Sequence, residues 1–95
     1  MTKDEILNEL EKVDHPAINY SLIKLGIITD AQLTGNKFSV VFAFPFPNIP
    51  IADMLINSIA QPVKSFGLEF DYKIRVMNEE EKARFLKLEA EAWKG

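Results

Sequence analysis

Apolar positions along this chain recur first with the period of a helix, then of two strands, and then of helix, strand and helix in turn. Thr2 and Glu5 have capping-box spacing; Ile6, Leu7, Leu10 and Val13 follow on one helical face, with Glu5, Glu9, Glu11 and Lys12 on the other. The helix is predicted to stop near Asp14, because His15 precedes Pro16 and is biased out of the α region. Pro16 to Leu25 is irregular apart from one helical turn around Ser21–Lys24, and Gly26 marks a backbone change. Ile27 to Leu33 sets Ile27, Thr29, Ala31 and Leu33 against Ile28, Asp30 and Gln32, the pattern of a half-buried strand. Gly35-Asn36 fits a tight hairpin turn, since both residues tolerate positive φ. Lys37 to Phe44 carries Phe38, Val40, Phe42 and Phe44 on one face and Ser39, Val41 and Ala43 on the other, so it reads as the interior strand. Pro45 ends its ladder.

The second half of the chain repeats the alternation of periods. Asn48 is the expected N-cap of a helix with Pro50 in its first turn, Asp53 near its positive end, and Ile51, Met54, Leu55, Ile59 and Val63 as its stripe. Pro62 is expected to kink this helix or end it near Gln61, before Gly67. From Leu68 to Met77 the alternation is cleanest: Leu68, Phe70, Tyr72, Ile74 and Val76 are expected inward, with Glu69, Asp71, Lys73 and Arg75 facing water. Asn78 and Glu81 repeat the capping-box spacing. They open a helix to about Lys94 with an apolar edge of Phe85, Leu88, Ala92 and Trp93. The order α-β-β-α-β-α predicts an α/β (α+β) two-layer sandwich. Its mixed three-stranded sheet carries the first two helices on one face and its third strand parallel to the second. A single domain spans 1–95, with a core over about 3–77 and an extra C-terminal helix over about 79–94.

Composition narrows the chemistry. Hydrophobic residues at 47% and charged residues at 26% belong to a globular chain, and the net charge of −3 with no Lys/Arg cluster disfavours nucleic acid or an anionic membrane as partner. Zero cysteines remove disulfides, thiolate ligands and Cys nucleophiles. No run approaches membrane-spanning length, and Met1-Thr2-Lys3-Asp4-Glu5 has no apolar signal core, so a cytoplasmic location is expected.

The lone histidine, His15, stands beside Asp14 as a general-base pair would, but no nucleophile accompanies it; a polar residue closing a helix before proline is the preferred reading. Glu79-Glu80-Glu81 offers oxygens to a hard cation, yet its place at a helix N-terminus explains it as a solvated cap. Trp93 either closes the core, the preferred reading, or exposes a sticky edge. The segment Phe42-Ala43-Phe44-Pro45-Phe46-Pro47-Asn48-Ile49-Pro50 carries the most information, because it drives a strand through a stiff connector into a helix N-terminus. It contains no Cys, His, Ser, Lys or Arg, so it is built for contact rather than catalysis. Phe46, between two prolines and beyond the strand, is the aromatic best placed for exposure; it either packs or serves as an interaction anchor, for which a stiff loop loses little entropy on docking.

These landmarks resemble a known family. A leading helix ending at Val13-Asp14-His15-Pro16, then Leu25-Gly26-Ile27-Ile28, a Gly-turn hairpin, and the corner Pro47-Asn48-Ile49-Pro50 are similar to the iron–sulfur cluster assembly domain. That family includes SufT and PaaD-like proteins and the N-terminal domain of Mrp-type Fe–S carrier ATPases. The resemblance covers about Lys3 to Met77. Two departures bear on function: His15-Pro16-Ala17 stands where the family has Asp-Pro-Glu, and Ile49 stands where it has a cysteine. The resemblance thus implies a place in cluster assembly, while the residues exclude thiolate ligation by this chain.

The expectation is a non-enzymatic adaptor that binds a protein partner, an Fe–S carrier ATPase or a client apoprotein. The expected partner-binding residues are Asp14, His15, Phe46, Pro47, Asn48, Ile49, Pro50 and Asp53. No cofactor or metal is expected on the chain itself. Alternatives are a carrier that holds a transient Fe–S cluster only with a partner's thiolates, or a non-catalytic subunit of a PaaD-like enzyme system. An RNA-binding reading of the fold order lacks the Gly-x-x-Gly clamp, and homodimerisation is left open by the exposed strand edge.

Overall fold

The protein is described by a computed structural model over residues 2–93. Helix α1 (Lys3–Leu10) is followed by β1 (Ile28–Thr34), β2 (Lys37–Phe44), α2 (Ala52–Ser65), β3 (Glu69–Val76) and α3 (Glu79–Ala92). The sheet order is β1-β2-β3, with β1 antiparallel and β3 parallel to the central β2. The two-layer α+β arrangement, the mixed sheet and the interior position of β2 are as the periodicity predicts.

Burial explains the order. Phe38 and Phe42 are fully buried on one face of β2, beside Ile6 and Leu10 of α1 and Leu55, Ile59 and Val63 of α2. Even Ala43, on the opposite face, is sealed. Both N-terminal signals predicted from spacing form complete capping boxes, Thr2 with Glu5 and Asn78 with Glu81. The hairpin loop is Gly35-Asn36, with only Gly35 at positive φ (59°). Asn36 instead donates its side-chain amide to the Gly67 carbonyl at 3.1 Å, tying the hairpin to the start of β3.

Several expectations are corrected. α1 stops at Leu10 rather than near Asp14, because the backbone of Val13–His15 pairs with residues 20–22: Leu22 N–H donates to Val13 at 3.2 Å and His15 N–H to Tyr20 at 3.0 Å. β1 does not alternate evenly. A bulge between Thr29 and Gln32, with Asp30 at φ 50°, places Ile28 opposite Phe42 and Leu33 opposite Phe38, so residues an odd number apart share a face. α2 runs through Pro62 to Ser65. Its Met54, expected in the buried stripe, is 57% exposed. On β3, Tyr72, Ile74 and Val76 are 43%, 55% and 50% exposed rather than inward, because β3 is an edge strand and the helix layer leaves its outer side uncovered. Trp93 is 54% exposed and does not close the core. The predicted last helical residue, Lys94, lies outside the described residues.

Candidate functional site

Three prolines shape the connection from β2 to α2. Pro45 is buried against the end of the strand, and Phe46, Pro47 and Asn48 then stand out at the surface. Asn48 is not the helix cap. Its φ is 58°, a left-handed conformation that asparagine tolerates, and the N-cap position falls on Ile51 with no side-chain hydrogen bond. The reason lies in Pro50, which holds Ile49 out of the α region and delays the helix to Ala52. Pro50 therefore precedes the first helical turn rather than standing in it.

This corner divides two hollows. One, of about 290 Å³, is almost wholly apolar and brings together His15, Phe46, Ile49 and Pro50 with Phe85 and Trp93 of the chain's last helix and its end. The other, of about 180 Å³, lies on the far side, where Phe46, Pro47, Asn48 and Ile49 meet Ile74 and Val76 of β3. Phe46, shared by both, is 44% exposed, with the Lys82 ammonium 4.5 Å from its ring centroid. That cation–π contact holds the ring at the surface without burying it.

The predicted site residues thus separate. His15, Phe46, Ile49 and Pro50 converge on one hollow, and Pro47 and Asn48 line the other, whereas exposed Asp14 and Asp53 line neither. His15 is only 8% exposed, so it forms wall rather than tip. Its Nδ1 accepts the Ala17 N–H at 3.0 Å, which leaves the proton of the neutral ring on Nε2. Asp14 is placed by its bridge with Ser21, away from the corner. Sequence reasoning missed the contribution of the last helix: Phe85, Glu89 and Trp93 complete the larger hollow. A tryptophan in a closing turn rich in charge was the available signal.

The electrostatics nearby are those of a fastening. Arg75 donates from both terminal nitrogens to Glu81 at 2.7 Å, and the Asn78 N–H donates to the same carboxylate at 3.0 Å. The Arg75 hydrogen bonds first, and the Asn78 N–H second, push the Glu81 carboxyl down to about 2. The acidic run therefore caps α3 and pins it to β3. Among the described residues no group of three or more His, Cys, Asp or Glu side chains gathers as a metal site would require. Nor is any described helix long and apolar enough to cross a membrane.

Comparison with known proteins places this geometry. Residues 3–76 match the model of a family described as iron–sulfur cluster assembly protein. The fold is similar to the crystal structure of a domain of unknown function, DUF59, from Bacillus anthracis, with a TM-score of 0.70 over 94% of this chain and 91% of that one at 16% identity. No curated protein matches at a significant level.

Proposed function

The chain belongs to the family of iron–sulfur cluster assembly proteins, and on that premise we propose that its part in cluster assembly is non-catalytic docking. The partner is an Fe–S carrier ATPase or an apoprotein awaiting its cluster. One observation carries this reading: Phe46 of the proline corner and Trp93 at the end of α3, 44% and 54% exposed, line one apolar hollow of about 290 Å³. Stiff aromatic anchors around a dry pocket are the usual seat of binding energy in a protein interface. With zero cysteines, the chain offers no thiolate, so any cluster enters as cargo held by the partner's own ligands.

The test is affinity capture from native extract with the wild-type chain, Phe46→Ala and Ile49→Asp, followed by identification of what binds. The reading expects a cluster-assembly ATPase or Fe–S client on the wild type and its loss from both variants. If folded variants keep the same partner, or the wild type captures no component of cluster assembly, the proposal falls.

A further inference from the structure

Beside the corner, the outer side of β3 is left uncovered. Tyr72, Ile74 and Val76 are exposed although their register partners Val40, Phe42 and Phe44 on β2 are buried. Between these apolar positions the strand carries Glu69 and Asp71 in its first half and Lys73 and Arg75 in its second. Read backwards, that strand is the charge complement of itself.

Backbone direction restricts how two such strands can pair. Glu69 N–H donates to Asn36 at 2.8 Å and Met77 N–H to Phe44 at 2.7 Å, so by the two-residue period of a strand the polar groups of the odd-numbered residues face β2. Those of Phe70, Tyr72, Ile74 and Val76 face outward, where a further strand would meet them. A twofold antiparallel pair must therefore set even positions opposite even ones. With the axis at Tyr72, Phe70 faces Ile74 of the second copy and Leu68 faces Val76, exchanging backbone hydrogen bonds. Asp71 then faces Lys73, and Glu69 faces Arg75, at the narrow positions where cross-strand side chains lie closest. Moving the axis by one residue sets Lys73 against Lys73 or Asp71 against Asp71. Moving it by two sets Lys73 against Arg75 or Glu69 against Asp71. Among these registers, the one centred on Tyr72 alone joins every charge to its opposite.

We propose that β3 is a self-association edge. Two copies of this chain pair β3 antiparallel about an axis through Tyr72, joining their sheets into one and covering Tyr72, Ile74 and Val76. The ion pairs already present on the other face of the sheet, that of the odd-numbered residues, Lys37 with Asp71 at 3.3 Å and Arg75 with Glu81 at 2.7 Å, would continue as rows across both copies. This surface adjoins the corner, since Ile74 and Val76 line the smaller hollow with Phe46, but its test reads self-association alone and so is decided apart from the docking role.

Sedimentation equilibrium of the full chain, in a series reaching high micromolar concentration, tests the inference. A reversible monomer–dimer equilibrium is expected. Asp71→Lys and Lys73→Asp should each weaken it by about tenfold, since each places like charges opposite one another on both sides of the axis. An equimolar mixture of the two variants restores opposite charges and should regain the dimer as a heterodimer. Both positions are exposed, and circular dichroism checks that each variant stays folded. A chain that stays monomeric, a dimer indifferent to both substitutions, or a mixture no stronger than its components overturns the proposal.

Discussion

Two strand-to-helix connections leave the same end of the sheet, from register partners Phe44 and Val76, and they solve the same problem differently. Beyond Val76 only Met77 and Asn78 intervene before α3, whose first turn is closed by a capping box and by Arg75. Beyond Phe44 come residues 45–51, three of them proline, and α2 begins without a side-chain cap. The first connection spends its polar side chains on itself. The second fixes its path through proline rings, which leaves Phe46, Pro47 and Asn48 at the surface. Stiffness without self-satisfaction is what sets the corner proposed for docking apart from the structural one.

The comparison can be broken most forcefully at Phe85, buried at 4% exposure in α3 and lining the hollow of the proline corner. Phe85→Ala is expected to cost about 3–5 kcal/mol in urea unfolding; a loss under about 1 kcal/mol would show that α3 does not support the corner. Next comes Glu81→Gln, expected to cost roughly 1–2 kcal/mol once exposure and solvent screening of the ion pair are allowed for. Glu81 titrates at about 2 in the fold against its ordinary 4.5. Its contribution is therefore complete above about pH 4.5 and fades as the pH falls towards about 2. The variant should flatten that part of the stability–pH curve, and an unchanged acid limb would remove the role given to the pair.

Smaller effects sharpen the contrast. Asn78→Ala should cost about 1 kcal/mol as a lost N-cap. Phe46→Ala should cost up to about 1 kcal/mol, chiefly the contact with Lys82, while abolishing partner capture. Asn48→Gly should be the mildest, within about 0.5 kcal/mol of wild type, because a left-handed residue that caps nothing gains from glycine what it loses in chain entropy. Thermal or urea denaturation of the two asparagine variants side by side decides whether the corners differ as described.

Much of this was legible in the residues. Period and capping-box spacing gave the element order and both capped helix starts, because local bonds within a few residues determine them, and the helix between β2 and β3 implied their parallel pairing. Phe46 was legible as exposed, since flanking prolines prevent its strand from continuing. The rest depended on partners distant in sequence. Nothing local at Lys12 or Val13 reveals that the chain will pair Val13–His15 with residues 20–22. Asn48 has the composition of a cap, but Pro50 overrules it two residues later. The alternation of β3 shows which face is apolar, not whether a helix reaches far enough to cover it. Trp93 became part of the site only because α3 folds back, its Ala92 carbonyl accepting the Asn19 N–H at 2.9 Å.

The irregularity at Asp30 amounts to a phase shift written into one strand. Ile28 and Leu33, five residues apart, reach the same interior because the bulge takes up one residue between their two alternations. Deleting Asp30 would remove that extra unit and leave a plain ladder, with Ile28 still opposite Phe42 and Leu33 still opposite Phe38. The left-handed turn at Asp30 is thus where the strand stores an odd residue while both halves of the hairpin stay in step.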